Sequence, residues 1–202
     1  MQLEPTVQGA AVFHLPQSLK MSRDQLWDVC QANPDWRVEL TAAGDLLIMP
    51  PTGAKTGARN LDLSRQLATW AKRDGSGVGF DSSTGFELPN GAMRSPDVAW
   101  VRRERLATLT EDQKEQFLPL CPDFVAELKS PSDRLADLRD KMVEYIANGT
   151  RLGWLIDPER RRVYVYRSGA AVAELDNPTT LSGDPVLTNF VLELSGIWEP
   201  GV

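Results

Sequence analysis

Phe124-Val125-Ala126-Glu127-Leu128-Lys129, then residues 132–148, then Leu152-Gly153-Trp154-Leu155-Ile156-Asp157: this stretch decides how the chain folds. The first and last pieces are short apolar runs and read as β-strands. Between them Leu138, Met142 and Tyr145 share one helical face, Ser132 or Asp133 can cap the start, and Gly149 supplies a left-handed stop after Asn148. A strand, a helix and a strand in this order form a right-handed crossover between parallel neighbours. A continuous helix is expected over about 133–147.

Working upstream, residues 77–81, 84–88 and 94–101 are three further strand-like runs, and Asn90-Gly91 marks a hairpin between the last two. Residues 56–72 carry a helical pattern with Ala58, Leu61, Leu67, Ala68, Trp70 and Ala71 on a broad face. Ser22 and Gln25 form a capping box for a short helix that ends at Asn33-Pro34. Residues 36–40 and 45–49 flank a glycine-containing turn, which predicts a hairpin closed by Pro50-Pro51. Residues up to about 21 show no clear element. Downstream, 102–120 reads as two helical pieces, the second capped by Thr110 and Gln113, and 163–167 as a strand before a tail of short apolar runs and turns. The expectation is one α/β domain over residues 1–202, with a mixed sheet (antiparallel meander plus parallel crossover) flanked by helices. The N-terminal helix and hairpin, about 1–51, form an extension to that core.

Composition narrows the chemistry. The 202 residues are 42% hydrophobic and 25% charged, an ordinary globular balance. No apolar run approaches the roughly 18 residues that span a bilayer, so no membrane partner is expected. The early Glu4 and the lack of a basic start argue against a secretory leader. His14 is the single histidine, and no G-x-S-x-G elbow accompanies it, which disfavours a Ser-His-Asp triad. Cys30 and Cys121 are too far apart for a zinc knuckle, and such sparse cysteine use points to a reducing cytoplasm. Gly75-Ser76-Gly77-Val78-Gly79 lacks phosphate-loop spacing and reads as a loop. Catalysis would rest on Asp, Glu, Lys, Ser or Tyr, with a metal. The net charge of −6 lowers the expectation of strong autonomous DNA binding, although a local basic groove can coexist with an acidic exterior.

One set of residues suits such chemistry. Side chains alternate along a strand, so Glu127 and Lys129 point the same way, with Cα atoms about 6.5–7 Å apart. Leu128 points into the core while its carbonyl stays near the same edge. Asp97 follows Pro96 at the start of an apolar strand and converges with Glu127 and Lys129 if the strands are neighbours. Two hard carboxylates and a carbonyl can hold Mg²⁺ or Mn²⁺ with waters. The cation lowers the pKa of a bound water and offsets charge developing on a phosphodiester, and a lysine can orient that water. On spacing alone, a turn aspartate and an exposed Glu–Lys surface pair are the more ordinary explanation of the pattern.

Pro96-Asp97 followed by Glu127-Leu128-Lys129 resembles the PD-(D/E)XK signature of the restriction-endonuclease-like superfamily. The wider context is more specific: Asp81-Ser82-Ser83-Thr84-Gly85-Phe86, Arg94-Ser95-Pro96-Asp97, the run 121–133, and Leu152-Gly153-Trp154-Leu155-Ile156-Asp157-Pro158. Together these are similar to the bacterial Uma-two family, and the resemblance runs from about Trp36 to Trp198. It implies a restriction-endonuclease-like fold and a Mg²⁺- or Mn²⁺-dependent endonuclease hydrolysing DNA. Asp97 and Glu127 would be metal ligands and Lys129 the catalytic lysine. Many relatives lack a lysine in that strand and draw one from the following helix, where this chain has Lys141 at the edge of the buried stripe. Lys129 is expected to hold the water and Lys141 to make a supporting contact, although Asp137 could equally pair with Lys141 at the surface. Relatives often carry Glu or His in the stretch that here reads Lys55-Thr56-Gly57, so a helix-borne ligand is missing from its expected place. A homodimer is expected, since two sites related by a two-fold axis match duplex symmetry. The rival reading is a non-catalytic nucleic-acid- or protein-binding module that keeps the fold; a structural homo-oligomer is a third. Glu87 and Arg94 are expected to face each other across the Asn-Gly hairpin.

Overall fold

The computed structural model describes residues 10–202; most of the stretch read as free of a leader lies outside the described residues. The first half holds β1 (Ala11–Phe13), α1 (Arg23–Ala32), β2 (Arg37–Leu40), β3 (Leu46–Met49), α2 (Ala54–Asp74), β4 (Gly77–Asp81), β5 (Phe86–Glu87), β6 (Met93–Arg94) and β7 (Val98–Arg102). The second half holds the single-turn helices α3 (Arg103–Leu106) and α4 (Glu111–Lys114), then β8 (Phe124–Leu128), α5 (Leu135–Ala147), β9 (Leu152–Asp157) and β10 (Arg162–Arg167). It closes with β11 (Ala173–Asp176), β12 (Thr180–Ser182), β13 (Val191–Glu193) and α6 (Ser195–Trp198).

The main sheet has six strands in the order β11-β10-β9-β8-β7-β4. β8 and β9 pair in parallel through α5, as the crossover requires, while β4, β7 and β8 run antiparallel. Every residue of β8 is buried because both faces are covered. Phe124, Ala126 and Leu128 share a core with Leu63, Leu67 and Trp70 of α2, whereas Val125 packs with Met142 and Tyr145 of α5. The result is a helix–sheet–helix sandwich in which β8 is central.

Four expectations change in detail. The strand expected over 94–101 is interrupted at Ser95-Pro96-Asp97: Pro96 has no N–H for a ladder, and the Ser95 N–H goes to the Glu39 carboxylate instead. β5 and β6 therefore leave the main sheet and join a second one, ordered β1-β3-β2-β6-β5, so the N-terminal hairpin continues into the body of the protein. Helix α5 begins at Leu135, because the Asp133 carboxylate accepts the Ser130 N–H and closes a turn instead of capping the helix. On α2 the buried stripe is Thr56, Leu63, Leu67, Trp70 and Ala71, leaving Leu61 72% exposed. Both capping boxes, Ser22 with Gln25 and Thr110 with Gln113, form. Among the described residues no helix is long and apolar enough to cross a membrane.

Candidate active site

The register of β7 on β8 matches Val98 with Ala126, so the next pair along brings Asp97 opposite Glu127 on one sheet face. Asp97 is fixed by the strand edge: its Oδ2 accepts the Leu128 N–H at 2.7 Å. Its Oδ1 is held only loosely, with Arg37 Nη1 and Asn60 Nδ2 each at 3.4 Å. Glu127 is 4% exposed, and its Oε1 accepts the Tyr145 hydroxyl at 3.1 Å and faces Lys141 Nζ at 2.8 Å. Lys141 and Tyr145 lie four residues apart on α5 and therefore share a face, which is how one helix supplies both groups.

Lys141 also donates to Glu39 Oε1 at 2.9 Å. Glu39 comes from β2 and is 1% exposed. It accepts the Ser95 N–H at 3.0 Å and meets Arg94 at 3.3 Å and Arg37 at 3.6 Å. Arg94 in turn donates from Nε to Glu144 at 2.7 Å. Arg94 is thus a network residue; it stands opposite Phe86, and the expected partner Glu87 stands opposite Met93. Asp137 lies 4.0 Å from Arg134, and Lys141 is engaged inward.

Of the residues expected at the site, the structure brings Asp97, Glu127 and Lys141 together and puts the Leu128 peptide N–H against Asp97. The Lys129 ammonium sits elsewhere, on the Ser130 carbonyl at 3.0 Å and Glu159 at 3.1 Å. Strand alternation had aligned Lys129 with Glu127, but β8 ends at Leu128 and the chain turns at 130–133. Glu39, Arg37 and Asn60 are additions that the sequence reading did not single out. A visible signal existed for Glu39, an acid between the apolar Val38 and Leu40 in a predicted strand.

Electrostatics set the protonation states. Burial pushes the Glu127 carboxyl up to about 7 against the pull of Lys141, with Asp97 and Glu39 adding to the rise. Burial acts the same way on Glu39, but Lys141, Arg37 and Arg94 outweigh it and hold that carboxyl down at about 2. Burial alone would lower Lys141, yet Glu127 and Glu39 keep its pKa above the ordinary lysine value, so it is an ammonium at neutral pH. The Tyr145 hydroxyl is pushed up by burial and then by the same two carboxylates, so it remains a donor.

Could a divalent cation be held here? Among the described residues no three His, Cys, Asp or Glu side chains gather as a self-sufficient cage. Mg²⁺ does not need one, since it binds through one or two carboxylates and keeps waters and substrate oxygens for the rest. Facing carboxylates on Asp97 and Glu127, with one oxygen of Asp97 loosely held, fit that mode.

The structure is an α/β protein with a mixed sheet and a parallel crossover, in which one carboxylate on β8, another just before β7 and a lysine on α5 gather in one cluster. Comparison with known proteins gives the family. The chain belongs to the Uma2 family, described as "Putative restriction endonuclease", which it matches over residues 23–195. No curated protein matches the chain. A solved structure from Anabaena variabilis, described as a "putative nuclease belonging to DUF820", is similar with a TM-score of 0.73 at 18% sequence identity. The match covers 89% of this chain and 98% of that one, a likeness of fold.

Proposed function

We propose that this protein is a Mg²⁺- or Mn²⁺-dependent endonuclease that hydrolyses DNA phosphodiester bonds, with Asp97 and Glu127 as metal ligands and the Leu128 carbonyl beside them. The observation that carries this reading is the convergence of Asp97, Glu127 and Lys141 from three separate elements in one buried cluster. A bound divalent cation would supply Lewis acidity and neutralise charge at the phosphate.

The chain's own groups do the rest. The Leu128 N–H holds one Asp97 oxygen and leaves the other toward Arg37 and Asn60, both at 3.4 Å. Tyr145 fixes the Glu127 carboxylate by hydrogen bonding to one of its oxygens. The Lys141 ammonium, held between Glu127 and Glu39, can orient the attacking water and stabilise the charged phosphate oxygens. The Lys129 ammonium is engaged by Glu159 and the Ser130 carbonyl instead. Cytoplasmic location and a homodimer belong to the same reading, and light scattering tests the dimer against the 22.4 kDa chain.

Plasmid cleavage with Mg²⁺, Mn²⁺ or EDTA, comparing wild type with Asp97→Ala, tests the function. Cleavage that needs the cation and disappears in Asp97→Ala is expected. Cleavage in EDTA, or full activity in Asp97→Ala, would overturn the assignment. The second reading, a non-catalytic binding module, is favoured by the net charge of −6 and by the Arg37 guanidinium lying over Asp97 and Glu39. Such a nucleic-acid- or protein-binding module requires no cleavage under any of these conditions, and any nucleic-acid binding it shows must be indifferent to EDTA.

A further inference from the structure

On the reading of Asp97 as a cation ligand, we infer that Asn60 of α2 supplies a further, neutral oxygen ligand through its side-chain carbonyl. The stretch 55–57, where a helix-borne ligand was expected, offers none: Lys55 is exposed and cationic, Thr56 is buried in the helix stripe, and Gly57 has no side chain. The helix instead presents Asn60 to the site one turn later, with its Nδ2 at 3.4 Å from Asp97 Oδ1.

The oxygen of that carboxamide is the telling atom. Four buried side-chain N or O atoms among the described residues have no hydrogen-bond partner: Arg37 Nε, Asn60 Oδ1, Trp100 Nε1 and Trp154 Nε1. Three of these are donors. Asn60 Oδ1 is the one acceptor, and a buried acceptor without a partner carries an unrecovered desolvation cost. Turning the amide over to exchange its ends would set oxygen against the Asp97 carboxylate, which is why the nitrogen faces Asp97. A cation on Asp97 Oδ1 reverses that preference: the nitrogen is then repelled and the oxygen attracted. The torsion involved is a soft, two-fold one, so the exchange needs no movement of α2. Both contacts that would give way at Asp97 Oδ1, from Asn60 and from Arg37, are long at 3.4 Å. An Asp–Glu–carboxamide set is a hard-oxygen environment of the kind Mg²⁺ and Mn²⁺ prefer.

Position supports the assignment. Thr56, Asn60, Leu63, Leu67 and Trp70 follow one another at spacings of four and three, so Asn60 occupies a place on the core-facing stripe. An amide there costs stability relative to an apolar residue unless its polar atoms are used.

Calorimetric titration of Mn²⁺ into the metal-free protein tests this without reference to cleavage. Wild type, Asn60→Ala, Asn60→Asp and Asp97→Asn are compared, with Mn²⁺-induced thermal stabilisation as a parallel readout. Asn60→Ala should weaken Mn²⁺ binding by on the order of 10-fold or more, the scale on which even residues supporting a ligand act. Asn60→Asp should bind at least as tightly as wild type, because it keeps an oxygen and adds charge. If Asn60 acted only as an N–H donor to Asp97, Asn60→Asp would weaken binding as alanine does, and that result overturns the inference. Wild-type affinity in Asn60→Ala, with binding lost in Asp97→Asn, overturns the inference and leaves the proposed function standing. Unchanged binding in Asp97→Asn overturns both. Should Asn60→Ala fail to fold, Asn60→Asp alone decides, and weaker binding than wild type overturns the inference.

Discussion

Lys129 and Lys141 both stand near Glu127 in the chain's logic, and their surroundings separate them. Lys141 touches Glu127 at 2.8 Å and Glu39 at 2.9 Å, whereas the Lys129 ammonium is committed to Glu159 and a backbone carbonyl. Lys141→Ala should therefore lower single-turnover cleavage by roughly 10²-fold or more, the scale of losing one contact to transition-state charge. Lys129→Ala should keep most of the activity. Loss of cleavage in Lys129→Ala with retention in Lys141→Ala would return the role to the strand lysine. Glu39 has a different part, since it positions Lys141 and offsets Arg37 and Arg94 in a buried setting. Glu39→Gln leaves these cations short of an anion, so denaturant titration should show a loss of roughly 3–5 kcal/mol. The sign with pH follows from its lowered pKa. Stability from Glu39 is present above its unfolded value near 4.5 and disappears as pH falls through about 2. The acid limb of the stability curve over that window should flatten in Glu39→Gln.

At the scale of elements, the crossover was legible because its signals are local. The continuous apolar run of β8, the apolar stripe of α5 and the Gly149 stop each sit within a few residues. Helix α2 was found but rotated: its expected face included Leu61, whereas the buried stripe passes through Leu63. Alanines spread around the helix blur its period, and the polar Asn60 on the true stripe hides it further. Leu63→Ala should cost about 2–5 kcal/mol by thermal or chemical unfolding, and Leu61→Ala a few tenths. Equal costs would contradict the observed face. The hairpin β2–β3 shows the limit of local reading. Its strands were expected, yet its use was not, because the pairing Leu40↔Met93 joins segments far apart in sequence. That pairing carries Glu39 and Arg37 to the site, so a segment that reads as an extension of the core completes the charge network around Lys141. Glu127 and Asp97 were legible for the opposite reason: each belongs to a short motif, and one step beyond the Val98–Ala126 pair sets them opposite each other.

For the whole molecule the question is how a chain of net charge −6 approaches a polyanion. Within the site, Glu39, Asp97 and Glu127 stand among Arg37, Arg94 and Lys141, so the cluster is close to charge-balanced and offers a phosphate little excess positive potential. With an acidic exterior as well, counterion release from Lys and Arg contacts can supply only a modest share of DNA affinity. A divalent cation on Asp97 and Glu127 adds positive charge where the phosphate must sit. DNA binding should consequently depend on the cation as much as cleavage does. Lys141→Ala keeps both proposed ligands and should cleave slowly, so it separates binding from turnover. Fluorescence anisotropy of a short labelled duplex with this variant should show binding in Mg²⁺ and its loss on adding EDTA. The salt slope should also be shallow compared with that of a basic DNA-binding protein. Equal binding with and without EDTA would mean that the protein holds DNA through a surface independent of Asp97 and Glu127, which is what a non-catalytic module requires and a cation-centred nuclease does not.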